Sequence, residues 1–435
     1  MTRTRDPERT LALVAGCRTP FSRAGTDLRG ASAADLATHV FREVLDRTGI
    51  DPRSIAEVVL GCGGADAREA NVARVAALRA GVPQEVPAVT VQRNCASGME
   101  AVFAADLRLR AGEGDVFLVG GTESMSNYPL TMGPALTRLF ERLARARSPF
   151  ARAAALATFR PSQLKPRVAL QEGLTDPVSG MIMGMTAERL ARTFGIQRGA
   201  QDAFALQSHR RAARARERGR LAREIAPLAA PPQYRAMVDA DNGIRAEQSL
   251  EALARLRPVF DRNEGDVTVG NACQITDGAV GLLLMSLARA RSLGLRPLAV
   301  LRGHGHAGLD PAAMGLGPVH AMPKALADAG LGFGDVELFE INEAFAAQVL
   351  ACIAAAASGE YCRTQVGLPG ALGEIDPARL NVNGGAIALG HPIAASGARL
   401  LLTLAEELRE RSLHAGMASL CIGGGQGQAI VLEAA

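Results

Sequence analysis

The sequence predicts an α/β protein in which one strand-and-helix unit is used twice. Short apolar runs alternate with helical periodicities over the first 120 residues, and the same rhythm returns after residue 296. Such alternation marks βαβ units, giving a mainly parallel sheet with helices on its faces. An internal repeat supports duplication. Ser97-Gly98 opens a predicted helix that leads to Val116-Phe117-Leu118-Val119-Gly120-Gly121, and Ser396-Gly397 opens one that leads to Ser419-Leu420-Cys421-Ile422-Gly423-Gly424. Each half then brings a helix-starting turn to a shared centre.

The elements follow in order. The apolar run Leu11–Gly16 reads as a strand and Ala33–Thr48 has helical spacing. Ile55–Leu60 is a strand, Val72–Ala80 a helix, Pro87–Val91 a strand, Cys95–Arg110 a helix and Asp115–Gly121 a strand. In the second half the strands are Leu298–Leu301, Val336–Ile341, Leu380–Val382, Ala418–Ile422 and Ala429–Glu433. Its helices are His320–Ala329, Glu343–Ala357 and about Ser396–Arg411. Residues 122–270 lose the rhythm: Arg138–Arg167 is strongly basic, His209–Glu224 reads as a charged helix, and Pro227–Pro232 is proline-rich. A long insertion between repeated cores usually covers a site. The division is thus 1–121 as the first part of the N-terminal half, 122–255 as an inserted loop region, 256–295 as the end of that half, and 296–435 as the C-terminal half.

Bulk properties exclude several function classes. A chain of 435 residues exceeds one ordinary core. The net charge of +4 is dispersed, which gives no case for nucleic-acid binding. Seven cysteines, an odd number with no CxxC spacing and no secretory signal, predict free thiols in a reducing cytoplasm. No apolar run reaches the roughly 18 residues of a membrane span. No ligand spacing supports a metal site, and His304 and His306 read as part of a strand end.

Three turns carry chemistry. Cys95 lies in Asn94-Cys95-Ala96-Ser97-Gly98, between a predicted strand and a predicted helix. A helix N-terminus offers unpaired N–H groups and a partial positive charge that stabilise a thiolate. His391 lies in Gly390-His391-Pro392, and Cys421 in Cys421-Ile422-Gly423-Gly424-Gly425. Cys17, Cys62, Cys352 and Cys362 read as small buried hydrophobes.

Six segments, in order, resemble those of the thiolase family. They are Arg18-Thr19-Pro20-Phe21, Asn94-Cys95-Ala96-Ser97-Gly98, Gly120-Gly121-Thr122-Glu123-Ser124-Met125-Ser126, Asn342-Glu343-Ala344-Phe345-Ala346, Gly390-His391-Pro392 and Cys421-Ile422-Gly423-Gly424-Gly425. The resemblance implies a duplicated thiolase fold: two βαβαβαββ halves packed as a five-layer α-β-α-β-α sandwich, with a CoA-binding loop domain inserted in the first half. It implies an acyl-CoA:acetyl-CoA C-acyltransferase that cleaves 3-ketoacyl-CoA with CoA, reversibly and by a ping-pong cycle, in fatty-acid β-oxidation. Cys95 would be the acyl-carrying nucleophile, His391 would take its proton, and Cys421 would exchange protons with the acetyl-CoA carbanion and with CoA. His391 with a water held by Asn342 would form one oxyanion hole, and the N–H groups of Cys95 and Gly423 the other.

The same resemblance places Arg245, Met183, Phe345 and Cys273 against CoA, which is a substrate; no cofactor and no metal are implied. Cys273 stands where a serine is usual, and Ile182 where short-chain biosynthetic enzymes carry histidine. The basic insertion resembles the extended loop of the trifunctional-complex thiolase subunit, whereas the Cys421 motif is common in acetoacetyl-CoA enzymes. The preferred reading is a 3-ketoacyl-CoA thiolase. The alternatives are a short-chain acetyl-CoA C-acetyltransferase making acetoacetyl-CoA, and a non-catalytic CoA- or lipid-binding relative. A decarboxylating ketoacyl synthase would lack Cys421. The implied assembly is a homodimer or homotetramer, with a hetero-complex containing an enoyl-CoA hydratase/3-hydroxyacyl-CoA dehydrogenase subunit as an alternative, and with peripheral membrane contact of the basic insertion as a lesser one.

Overall fold

The computed structural model describes residues 9–435; the first eight residues of the predicted N-terminal segment lie outside them. The first half runs β1 (Leu11–Arg18), α1 (Ala33–Thr48), β2 (Glu57–Gly61), α2 (Val72–Arg79), β3 (Ala88–Val91), α3 (Ser97–Ala111) and β4 (Val116–Ser124). An insertion then intervenes, containing α4 (Met183–Thr193) and α5 (Arg198–Glu217), before β5 (Thr276–Ser286) completes the half. The second half runs β6 (Ala299–Gly308), α6 (Gly317–Ala329), β7 (Leu338–Ile341), α7 (Ala346–Ala357), α8 (Ile393–Arg411), β8 (Ala415–Ile422) and β9 (Gln426–Ala434).

Strand order confirms the duplication. It runs β7-β8-β9-β6-β1-β5-β4-β2-β3, and the two halves meet where Ala12 and Leu13 of β1 face Val300 and Ala299 of β6. Outward from that junction each half repeats the same path. β1, β5, β4, β2 and β3 correspond to β6, β9, β8, β7 and a single bridge from Phe339 to Leu380.

Side-chain alternation builds five layers. Along β4, Phe117 and Val119 face a central core with α3 and α8, while Val116 and Leu118 face an outer core with α1 and α2. Along β8, Ala418 and Leu420 join the same central core, and Met417 faces a second outer core with α6 and α7. The period-2 geometry of a strand puts neighbours on opposite faces, so two helix layers and a shared central one follow.

The sheet is not mainly parallel as the alternation predicts: of the eight pairings along its path, only β2–β3, β2–β4 and β7–β8 are parallel. Three local expectations are also corrected. Leu380–Val382 is no strand: Asn381 adopts a left-handed backbone (φ 46°), and its amide pairs with Ile341 N–H and C=O in place of further rungs. Glu343 to Phe345 are not helical but extended, since Cys273 N–H donates to Ala344 O and Ala346 N–H to Asn271 O. The charged helix predicted for His209–Glu224 breaks at Gly219, whose φ of 73° ends one helix before Arg220–Glu224 begins. Both pairings at 342–346 draw the insertion's last segment onto the second half. Strand β5, which the sequence pattern did not single out, is buried at every position.

Candidate active site

The centre of the molecule is where α3 and α8 cross at their N-termini. A Cβ on Gly98 would lie 2.6 Å from Ala394 O, and one on Gly397 would lie 2.8 Å from Met99 Cβ. The repeated Ser-Gly pair therefore exists to let two helix starts touch. A Cβ on Gly121 of β4 would lie closer still to Ala394 O, at 2.0 Å.

Cys95 occupies the turn just before α3. Asn94 is held at φ 45°, a conformation an L residue enters only at some cost. Ser97 Oγ fixes the turn by donating to Asn94 O (2.7 Å) and accepting Arg93 N–H (2.9 Å). Asn94 Nδ2 donates to Gly423 O (2.9 Å), so the nucleophile turn and the glycine turn after β8 are tied directly. Gly423 N–H and Cys95's own N–H both act on the Cys95 sulfur. These are the two donors expected to form an oxyanion hole.

The electrostatics differ from the sequence expectation. Burial pushes the Cys95 thiol up to about 11; the N–H groups of Gly423 and Cys95 act against this, and the Glu123 carboxylate adds to it. The helix-start stabilisation is present but loses to desolvation. His391 is likewise displaced from neutrality, to about 4, by burial and then by the Arg399 charge. At neutral pH the resting pair is a thiol and a neutral imidazole. Cys421 is raised well above the ordinary thiol value by burial, then by Cys95, while Cys273 is raised to about 12 by burial, then by Cys95. The three sulfurs thus sense one another.

His391 sits at the turn before α8, its backbone N–H donating to Gln274 O (3.0 Å). Its Nδ1 lies 2.5 Å from Ser396 Oγ, which is 3.2 Å from Pro392 O. Because Pro392 O can only accept, the arrangement that uses both contacts has the Ser396 hydroxyl donating to it and accepting Nδ1–H, which leaves Nε2 with the free lone pair. Ser396 was seen in the sequence only as a helix-opening residue.

A second residue missed by sequence reasoning is Glu123. Fully buried in β4, it accepts N–H groups from Gly63 (3.1 Å), Gly64 (2.8 Å) and Ala394 (3.1 Å), and the Tyr128 hydroxyl (3.0 Å). Burial raises its carboxyl above the usual range, against the pull of those donors. It clamps the start of α8 to the loop that flanks Cys95. The signal was available: a lone carboxylate in an otherwise uncharged strand.

Asn342 is fully buried, and among the described residues neither its Oδ1 nor its Nδ2 has a protein partner. An amide desolvated without partners costs about 1–3 kcal/mol, which is a reason to expect it to serve something that enters the site. Phe345, Met183 and Cys421 share one apolar cluster, with the Phe345 ring edge-on to Phe260 at 6.0 Å. Met183 Sδ would lie 3.3 Å from a Cβ on Gly423, so a side chain there would crowd the site.

Arg245 stands apart from this cluster. It is exposed, on a loop whose Gly243 abuts Ala388 just before His391 and whose Arg245 N–H donates to His209 Nδ1 (3.2 Å). That loop is anchored by the first motif: buried Arg18 pairs bidentately with Asp241 (2.7 and 2.8 Å) and with Glu224 (3.1 Å). His304 and His306 lie within β6, where His306 Nε2 meets Glu100 Oε2 at 3.1 Å, away from the site. Among the described residues, no group of His, Cys, Asp and Glu could hold a metal ion, and no helix is long and apolar enough to cross a membrane.

Comparison with known proteins agrees with this geometry. The model of the thiolase N-terminal domain matches residues 11–288, and that of the thiolase C-terminal domain matches 295–434. A 3-ketoacyl-CoA thiolase of Pectobacterium carotovorum is 41% identical over 97% of this chain and 96% of its own length. An acetyl-CoA acetyltransferase of Pseudomonas aeruginosa is also 41% identical, over 97% of this chain and 98% of its own. The crystal structure of human mitochondrial 3-ketoacyl-CoA thiolase in complex with CoA superposes with a TM-score of 0.83 at 34% identity, covering 99% of each chain. Both halves are matched end to end, and the chain belongs to the thiolase family.

Proposed function

We propose that the protein cleaves 3-ketoacyl-CoA with CoA, reversibly, to acetyl-CoA and a shortened acyl-CoA, using CoA as substrate rather than cofactor. The observation that carries this is the junction at Cys95: Asn94 Nδ2 donates to Gly423 O (2.9 Å), tying the Cys95 turn to the glycine turn that follows Cys421, and Cys95 helps to raise the Cys421 thiol. One nucleophile, one proton exchanger and one donor pair are what a thioester-forming carbon–carbon cleavage needs.

In the first half-reaction the Cys95 thiol proton passes to His391 Nε2, the nitrogen left free by Ser396, as sulfur bonds to the keto carbon. The oxyanion that forms is held by Cys95 and Gly423 N–H. Its collapse breaks the bond between the keto carbon and the α-carbon, and the electron pair moves into the acetyl-CoA enolate. Cys421 protonates that carbon and releases acetyl-CoA. The enolate oxygen is held by His391, now protonated at Nε2, and by a water on Asn342, whose amide has no protein partner among the described residues.

In the second half-reaction the Cys421 thiolate takes the proton of incoming CoA, whose sulfur attacks the acyl thioester; Cys95 leaves and recovers its proton from His391. The raised thiol values make concerted transfer preferable to a standing thiolate. Met183, Phe345 and Cys273 would flank the pantetheine and Arg245 the adenine. A homo-oligomer fits the edge of β3, which among the described residues has a strand neighbour on one side only and which leads directly to Cys95.

The test follows the loss of ketoacyl enolate absorbance with acetoacetyl-CoA or longer 3-ketoacyl-CoA plus CoA. Cys95→Ala should abolish acylation, whereas Cys421→Ala should permit labelling of Cys95 by an acyl donor while blocking turnover. Folded protein with no turnover at any chain length overturns the proposal. Run towards synthesis, the same groups would make acetoacetyl-CoA, the reaction class named for the Pseudomonas relative.

A further inference from the structure

The two N–H groups that act on the Cys95 sulfur come from opposite ends of the chain. Asn94 and Gly423 are 329 positions apart, so no local backbone rule sets the gap between their turns. Bonds across the two halves must set it. The contact from Asn94 Nδ2 to Gly423 O is one such bond. A second runs through the side chain of Arg93, the residue before Asn94.

Arg93 spreads all three guanidinium nitrogens over two partners. Nε and Nη2 donate to the Glu100 carboxylate (2.8 and 3.2 Å), and Nη1 donates to Gln426 Oε1 (3.0 Å). Glu100 lies in the first turn of α3, its N–H donating to Ala96 O (2.8 Å). Gln428 Nε2 also donates to that carboxylate (3.2 Å), and His306 Nε2 stands 3.1 Å from it. Gln426 faces Ile422 where β8 turns into β9, so it closes the hairpin whose tip is Gly423, Gly424 and Gly425. One fork thus holds the start of α3 and the base of the glycine turn at once, which the point charge of a lysine does less well. The Arg93 and Glu100 side chains are 30% and 17% exposed. A pair that open to water adds little to overall stability, which leaves geometry as its contribution.

Resting on the thiolase reading above, we infer that Arg93 is a positioning residue for the reaction: it sets the separation of the Cys95 and Gly423 N–H groups by clamping the first turn of α3, through Glu100, to the closing residue of the glycine hairpin, Gln426. Oxyanion donors must lie about 2.7–3.1 Å from the oxygen they hold, and a misplacement of about 1 Å costs on the order of 100-fold in rate. The Asn94 bond fixes one point of the hairpin and leaves it free to pivot; the Arg93 bond fixes a second. Asn94 itself is held at φ 45° between Arg93 and Cys95, so a turn that is strained is pinned on the side where it begins. Because the oxyanion exists only after attack, loss of the clamp falls on kcat and not on KM.

The experiment measures kcat and KM for acetoacetyl-CoA thiolysis, and the pH profile of Cys95 alkylation by iodoacetamide. The proteins are wild type, Arg93→Met, Arg93→Lys, Gln426→Ala and the Arg93→Met/Gln426→Ala double variant. Arg93→Met should lower kcat by roughly 10- to 100-fold, less than outright loss of an oxyanion donor, with KM within about threefold of wild type. Arg93→Lys should fall between the two. Gln426→Ala should lower kcat by about fivefold or more, and adding it to Arg93→Met should cost no more than about twofold further, since the bond between them is then already broken. In both single variants the alkylation profile should move to higher pH, because the Gly423 N–H that lowers the thiol draws back from the sulfur; a merely structural role would leave the profile of the folded protein in place. Should Arg93→Met fail to fold, Gln426→Ala decides, as it leaves the Arg93–Glu100 pair intact. A Gln426→Ala kcat within about twofold of wild type with an unmoved profile, a fully multiplicative double variant, or a loss confined to KM overturns the inference while leaving thiolase chemistry standing. No cleavage by folded wild type overturns the thiolase reading instead, and the alkylation profile still decides whether Arg93 holds the turn.

Discussion

Replacing Ser396 by alanine isolates the step on which the nucleophile depends. In the wild type, Nδ1–H of His391 donates to Ser396 Oγ at 2.5 Å because the serine proton is committed to Pro392 O. Without the hydroxyl, that N–H becomes a buried donor with no partner, at a cost of about 1–3 kcal/mol. The imidazole can avoid the cost by moving its proton to Nε2, which removes the lone pair that should receive the Cys95 proton. The same energy then enters the barrier, so kcat/KM for acetoacetyl-CoA thiolysis should fall by roughly 5- to 150-fold. KM should change little, since Ser396 is buried behind His391. Acylation of Cys95 measured in a single turnover should slow by the same factor, which a general loss of folded protein would not reproduce. A Ser396→Ala enzyme within about twofold of wild type in both measurements would refute the tautomer argument.

Further outcomes are expected. Alkylation of Cys95 by iodoacetamide, followed on its own peptide, should climb about tenfold per pH unit from 7 to 10, because a thiol held near 11 ionises progressively below that value; a plateau near pH 6–7 would reveal a standing thiolate–imidazolium pair and defeat the neutral-pair reading. Gly98→Ala should destabilise the fold by about 1–3 kcal/mol in urea and depress activity, since its Cβ meets a backbone oxygen at 2.6 Å; an unchanged midpoint would mean the helix crossing is not tight. Arg18→Ala should cost about 3–5 kcal/mol, because Asp241 is left as a buried charge and Glu224 keeps only Arg220; stability within 1 kcal/mol of wild type, a threshold set at roughly the worth of an exposed pair, would show the network to be dispensable.

Much of this architecture is written in local sequence. The first helix spans Ala33–Thr48 as its spacing indicates, because Ser32 and Asp35 form a reciprocal capping box and Gly49 closes it at φ 61°. The motif turns around Cys95, His391 and Gly423 are legible for the same reason: glycine and serine mark backbone that must bend. What local pattern does not carry is burial on both faces. Strand β5, Thr-Asp-Gly-Ala-Val-Gly-Leu-Leu-Leu-Met-Ser, is covered by α1 on one side and the central helices on the other, so it shows no alternation. The thiol and imidazole values escape for a related reason, since desolvation comes from residues far away in the chain. Glu123 and Ser396 act through partners up to 271 positions distant in one case and four or five in the other; only the second could have been guessed from spacing.

The duplication also explains why there is one site and not two. Each half presents a turn before its central helix, and crossing α3 with α8 brings those turns together. The halves then diverge at the next connection. Between β8 and β9 the chain turns through Gly423, Gly424 and Gly425, the last two at φ 92° and 77°, which leaves Gly423 N–H bare beside the Cys95 sulfur. Between β4 and β5 the same position holds residues 125–275, which supply Met183, Phe260 and the loop bearing Arg245. A short glycine turn provides close backbone donors but no walls; a long insertion provides walls but no access for backbone. Cys95 is set on the half that carries the insertion, and one of the two N–H groups acting on its sulfur, that of Gly423, on the half that lacks it. A symmetric pair of either kind would give a hole without a substrate channel, or a channel without a hole.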